Sequence, residues 1–235
     1  MFNRTEKGLW WDEGWKLVSG CTRVSSACDN CWALDMDKRF DGLEIKFHPE
    51  RLEKPLKRKK PQSYSIWNDL FHESVYEDWL NSVFNMMGVC QWHTFIILTK
   101  RPKRMVKYIT PTYAPMKNVI LGVTAENQER ADERLSELMK LAKAGWKTVV
   151  SVEPMLSEIK SQWLPDWVIC GCESGPNRRP MDIEWARDLK NQCQEAGVAF
   201  FMKQMEIDGQ VCKDITQFPE DLRIREYPES EAINE

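Results

Sequence analysis

Three cysteines stand close together near the start of the chain: Cys21, Cys28 and Cys31, in the spacing C-x6-C-x2-C. Thiolates are soft donors, and three on one short segment suit a transition metal. Their number is informative. A structural zinc site takes four protein ligands, and the next histidine, His48, lies 17 residues beyond Cys31. On a 4Fe–4S cluster, three thiolates leave one iron open to a non-protein ligand. The same spacing also fits a zinc site completed by a distant side chain, or three plain buried thiols.

Other residues carry chemistry of their own. Cys170 and Cys172 form a C-x-C at the end of an apolar run. Alternation along a strand points both the same way if the strand persists to Cys172. Cys170 then belongs to the core, and Cys172 faces a substrate as a thiol. Cys90, Cys193 and Cys212 read as buried or incidental thiols. The basic runs Lys57–Lys60 and Lys100, Arg101, Lys103, Arg104, Lys107 suit a phosphate backbone, or else solvated faces. Of the three histidines, His72 alone falls near an expected strand tip; His48 and His93 read as structural or solvated.

The elements that must position these residues follow from periodicity. Short apolar, β-branched and aromatic runs predict strands at Lys16–Ser19, Tyr64–Trp67, Thr94–Leu98, Val119–Val123, Thr148–Val152, Trp167–Cys170 and Ala199–Met202. Helical spacing predicts helices over Glu73–Met87, Asn127–Ala144 and Ile183–Ala196, the last two stopped by Gly145 and Gly197. Strand alternating with helix argues for a parallel sheet covered by helices. Six or seven such units are too few for a closed eight-fold barrel. The expected fold is α/β, a partial, open βα TIM-like barrel of about six or seven parallel strands, with a doubly wound sheet as the alternative. Either places function at the C-terminal strand ends.

The chain has 235 residues, 42% hydrophobic and 29% charged, which is the composition of a globular protein. No apolar run reaches the roughly 18 residues of a membrane helix. The opening Met1-Phe2-Asn3-Arg4 lacks a secretory pattern, so a reducing compartment is expected, where clustered cysteines bind metals or react rather than pair. The net charge of −3 is uneven: residues 1–110 carry 18 Lys and Arg against 14 Asp and Glu, and residues 206–235 carry 3 against 9. A partial barrel over 1–205 with an acidic, weakly structured appendage over 206–235 is expected, and the near-neutral total does not exclude an acidic partner.

The stretch from Gly20 to Ala33, GCTRVSSACDNCWA, resembles the signature of a phage-associated family that carries a domain-of-unknown-function label and is similar to radical S-adenosylmethionine enzymes. The likeness continues through His48-Pro-Glu-Arg-Leu52, Asn68-Asp-Leu-Phe-His72, Leu98-Thr-Lys-Arg-Pro102, Gly122-Val-Thr-Ala-Glu-Asn-Gln128, Ser151-Val-Glu-Pro154, Gly171-Cys-Glu-Ser-Gly175 and Phe201-Met-Lys-Gln204. These segments keep the family's order across residues 17–204. Trp32 stands for a tyrosine, Ser26-Ala27 for Pro-Gly and Cys172 for a glycine; none of these removes a cysteine ligand. A more distant likeness is to spore photoproduct lyase.

The resemblance implies a 4Fe–4S cluster on Cys21, Cys28 and Cys31, with S-adenosylmethionine on the open iron. Reductive cleavage by an external electron donor then yields a 5′-deoxyadenosyl radical. Asp69 and Glu153 are expected at the methionine and ribose, with Glu126 and Asn127 as alternatives and Trp32, Thr124 and Ser151 lining the cofactor. Lys100, Cys172, Glu173 and Lys203 are expected in catalysis, and Arg101, Arg178, Arg179 and Gln204 at the substrate. The implied substrate is an amino-acid-modified thymidine in phage DNA, isomerised in the cytoplasm of the infected host. A pyrimidine-lesion lyase using Cys172 as hydrogen donor, and a non-catalytic zinc or iron–sulfur DNA-binding protein, are the alternatives.

Overall fold

A computed structural model describes residues 7–228. Its strands are β1 Glu13–Trp15, β2 Val18–Ser19, β3 Lys46–Phe47, β4 Ser63–Ile66, β5 Thr94–Thr99, β6 Val119–Thr124, β7 Lys147–Val152, β8 Trp167–Gly171, β9 Ala199–Ile207 and β10 Gln210–Cys212. The α-helices are α1 Trp32–Phe40, α2 Glu77–Val89, α3 Pro102–Thr112, α4 Gln128–Lys143 and α5 Ile183–Ala196. Eight strands form one sheet in the order β1-β4-β5-β6-β7-β8-β9-β10. All its pairings are parallel except β9 with β10. The sheet curls into an open half-barrel, an α/β architecture in which successive tips point the same way.

Side-chain alternation explains why the strands read as unbroken apolar runs, for both faces are covered. On β5, Phe95 and Ile97 join the outer core while Ile96 joins the inner one. The outer core is closed by helices. Leu80, Val83, Phe84 and Met87 of α2, at helical spacing, are all buried, each worth roughly 1.5–3 kcal/mol of removed apolar surface. The concave face holds Ile96, Ile120, Val149, Trp167, Ile169 and Phe201, with Trp10 and Tyr227 packed against them.

Three expectations need correction. The sheet's first strand is Glu13–Trp15, whereas Val18–Ser19 pairs with Lys46–Phe47 in a separate ribbon. The true strand hides from pattern reading because it is a short edge containing Gly14, where a Cβ would come within 2.4 Å of the Trp67 ring. The second helix begins at Glu77 rather than Glu73, because Asp69 draws residues 69–75 into turns, accepting from the Phe71 amide at 3.0 Å. The described part of the acidic segment, 206–228, is folded: β10 extends the sheet, Phe218 and Leu222 enter the core, and the Met202 amide donates to the Ile224 carbonyl at 2.9 Å. Residues 229–235 lie outside the described residues.

Candidate functional site

Above the apolar concave layer the strand ends turn polar. Ser65 on β4, Thr124 on β6, Ser151 on β7, Glu153 just beyond it and Lys203 on β9 open into one cavity. Lys100, Arg101, Asp69, Cys172 and Glu173, from the loops after the strands, line the same space. So do Cys21, Cys28, Cys31 and Trp32. The cysteine loop therefore roofs the strand tips, although it leaves from the β2 ribbon rather than from a strand of the main sheet.

The loop's first residue is fixed by steric and polar constraints together. Gly20 has φ +77°, and a Cβ there would sit 2.3 Å from the Glu44 carbonyl oxygen. Its amide donates to Asp37 Oδ2 at 2.9 Å, and Asn68 Nδ2 donates to the same oxygen at 2.6 Å and to the Gly20 carbonyl at 3.2 Å. Asp37 is fully buried and paired with Lys16 at 2.6 Å. At the other end Cys31 is the N-cap of α1, where the helix dipole favours anionic groups.

Between these ends two arginines hold the loop. Arg101 donates to Asp69 Oδ2 at 2.8 Å, Glu73 Oε2 at 2.7 Å, and Thr22 Oγ1 at 2.7 Å. Burial works against its charge, and the Asp69 and Glu73 carboxylates more than offset that, raising its pKa. Across the cavity Arg179 pairs with Glu173 through Nε at 2.9 Å and reaches the Ser26 carbonyl at 3.0 Å. Glu173 also accepts from Asn30 at 3.1 Å. Burial raises the Glu173 pKa, but Arg179 and Asn30 outweigh it and hold the carboxyl below its ordinary value.

The remaining residues singled out in the sequence divide. Lys203 and Glu153 pair inside the cavity, with Lys203 Nζ 5.7 Å from the Trp11 ring centroid. Cys172 is buried, and burial together with Glu153 and Glu206 pushes its thiol up to about 12, so it is held as S–H. Five expected residues do not line the cavity. Glu126 is buried against Arg134 at 2.9 Å. Asn127 caps α4, accepting from the Arg130 amide at 3.0 Å. Arg178 pairs with Glu206 at 3.1 Å, and Gln204 donates to the Cys172 carbonyl at 2.8 Å. Arg179 is occupied as described above.

The run Lys57–Lys60 precedes β4 and so sits at the N-terminal end of the strands, opposite the cavity. A phosphate backbone bound there would lie away from the cavity. In the second run, Arg104 donates to the Val75 carbonyl, Lys103 approaches Glu133 at 3.9 Å, and Lys107 is exposed. Lys100 of the run lines the cavity, and among the described residues its ammonium has no ion pair or hydrogen bond. Pattern reading also missed Trp10, Trp11, Asn30, Asn68 and Ser174 in the cavity lining. Asn30, Asn68 and Ser174 lay inside the quoted segments and could have been found there; the Trp10-Trp11 pair, ahead of every predicted strand, gave no sign beyond its aromaticity.

All eight cysteines are free. Among the described residues, no group of three His, Cys, Asp or Glu side chains already stands in metal-binding positions. The donor set itself fits an iron–sulfur cluster: three unpaired thiols on one loop, facing a common cavity. Burial and the Asp69 charge push the Cys21 thiol up to about 11, with Arg101 opposing them. Metal uptake by such a loop has to displace protons and gather the sulfurs, which couples binding to local folding.

A family model described as "Protein of unknown function (DUF5131)" matches residues 6–219. No curated protein and no solved structure matches the chain.

Proposed function

We propose that this chain, which belongs to the DUF5131 family, is a radical S-adenosylmethionine enzyme on a partial TIM-like barrel. Its proposed reaction isomerises an amino-acid-derived group on thymidine in phage DNA, in the cytoplasm of the infected host. The observation that carries the reading is the meeting of Cys21, Cys28 and Cys31 with the polar strand ends in one cavity. A structural metal loop has no need of such a surrounding.

Cys21, Cys28 and Cys31 would hold a 4Fe–4S cluster, leaving one iron for the cofactor. When bound, cluster and S-adenosylmethionine supply, with one electron from an external donor, a carbon radical able to take hydrogen from an unactivated carbon. The chain's own residues bind and orient. Glu153 offers a carboxylate to an amine or ribose; Asp69, expected beside it, has both oxygens engaged by the Phe71 and Lys100 amides, Thr99 and Arg101 and supports the cavity wall. Thr124 and Ser151 offer hydroxyls, and Trp32, half exposed, offers a stacking face. Lys100 and Lys203 are cations for a carboxylate or phosphate. A base must leave a duplex to reach this cavity, at a cost of a few kcal/mol. Stacking on Trp32, worth roughly 1–3 kcal/mol, offsets part of that. No helix among the described residues is long and apolar enough to cross a membrane.

A second reading draws on Cys172. A buried thiol held as S–H in the cavity suits hydrogen donation to a product radical, as a lesion lyase requires. The two readings separate by mass. Reconstituted enzyme, reductant and S-adenosylmethionine are incubated with DNA carrying amino-acid-modified thymine, and the digest is analysed by mass spectrometry. A nucleoside of unchanged mass and altered retention supports the isomerase. A mass change, or turnover on free nucleotides alone, overturns it.

A further inference from the structure

We propose that Arg101 and Arg179 are positioning residues that seat the cysteine loop from opposite sides, and that Arg101 also tunes the sulfur of Cys21. The second part rests on the cluster reading of the loop; the first does not.

Both arginines had the residue type of an anion-binding site, but their geometry is internal. The Arg101 side chain is 5% exposed. Its Nε goes to Glu73 and its Nη1 to Asp69, while Nη2 reaches both Thr22 Oγ1 at 2.7 Å and the Thr22 carbonyl at 3.2 Å. Nη1 also lies 3.8 Å from Cys21 Sγ, within reach of a weak N–H···S bond. All three nitrogens are committed, so the guanidinium has none to spare for a substrate phosphate. Arg179 grips the loop's other half, through the Ser26 carbonyl, Asp29 at 3.6 Å and the Glu173 carboxylate that holds Asn30. One clamp therefore holds residues 21–22 to the tips of β4 and β5, and the other holds 26–30 to the segment after β8. Arg23 and Val24 between them are exposed and have little burial of their own to fix them.

The clamps differ in one respect. Arg101 alone of the two touches a sulfur; Arg179 reaches the loop through oxygens. Hydrogen bonds to ligand sulfurs stabilise the more electron-rich state and set cluster potentials. A lysine in place of either arginine keeps the charge but gathers its donors on one nitrogen, so it cannot span partners as far apart as those the planar fork of the guanidinium reaches.

The test begins with hydrogen exchange on the metal-free full chain. Arg101→Lys is expected to speed exchange over residues 20–24 and leave 26–30 near wild type, and Arg179→Lys to do the reverse. Thr22→Val, at an exposed position where folding is not at risk, should reproduce the Arg101→Lys pattern. After anaerobic reconstitution, Arg101→Lys should lower the cluster's midpoint potential, and Arg179→Lys should leave it unchanged. Wild-type exchange in all three variants overturns the clamps. Equal potentials in wild type and both lysine variants overturn the tuning. If wild type takes up no iron, the cluster reading fails and takes the tuning with it, while the exchange pattern still decides the clamps.

Discussion

Glu126 and Arg134 meet at 2.9 Å behind the cavity wall, their side chains 0% and 2% exposed. Arg134 also donates to the carbonyl of Thr124, the tip residue of β6. The pair thus buttresses the site without entering it. Breaking a buried pair by removing one charge costs about 3–5 kcal/mol, whereas replacing both partners with apolar residues of similar volume costs far less. Urea denaturation should therefore show Glu126→Gln and Arg134→Met each markedly destabilised, and Glu126→Leu/Arg134→Met much nearer wild type. Equal losses in single and double variants would contradict this account of the pair.

Gly20 begins the cysteine loop at φ +77° against the Glu44 carbonyl. Gly20→Ala forces a left-handed alanine into a space that does not exist. A strained conformation of this kind costs of order 1–3 kcal/mol, and the displacement falls next to Cys21. The variant should melt earlier and load less iron than wild type under the same reconstitution. Full iron loading would show that the loop's entry does not govern its ligands.

His72 makes the site sensitive to pH. Its Nδ1 accepts from the Ser74 amide at 3.1 Å, so Nε2 carries the proton and donates to Thr22 Oγ1 at 2.9 Å. Burial, then the nearby Arg101 and Arg104 charges, lower its pKa below 6.5, against the opposing pull of Glu73 and Asp69. A histidine whose folded pKa is depressed contributes stability that is complete above 6.5 and lost as pH falls from there through the folded value. Thermal melting between pH 7.5 and 5.5 should show wild type losing more stability than His72→Gln. Parallel curves would sink the assignment.

Cys172 separates the metal readings. In the cluster reading it is no ligand, and Cys172→Ala should retain its iron. A zinc site seeking a fourth thiolate would take Cys172 from the same cavity, and the variant would then lose affinity. Metal analysis after dialysis against a chelator decides between them.

Much of the frame was legible because buried parallel strands must be apolar on both faces, as in Val119–Thr124 and Thr148–Val152. The tips were legible for a related reason: polar residues at or just after the ends of such runs, at Asp69, Ser151, Glu153 and Lys203, fall at the end of the sheet. Sequence position did not reveal which polar side chains satisfy each other. Glu126, Arg101 and Arg179 have the residue types of a binding site, and their partners Arg134, Thr22 and Ser26 are set by tertiary packing. The edge strand Glu13–Trp15 was hidden because glycine and glutamate there serve Trp67 packing and an ion pair with Lys54 at 3.0 Å, not strand propensity.

The central claim is that Cys21, Cys28 and Cys31 together hold a 4Fe–4S cluster with one open iron. Iron and sulfide should be measured after anaerobic reconstitution of wild type and the three single Cys→Ala variants, with electron paramagnetic resonance of the reduced protein before and after S-adenosylmethionine. The account predicts about four irons and four sulfides in wild type, little in any variant, and a spectrum that changes when the cofactor is added. One tightly held zinc in wild type, or iron loading indifferent to the three cysteines, would contradict it.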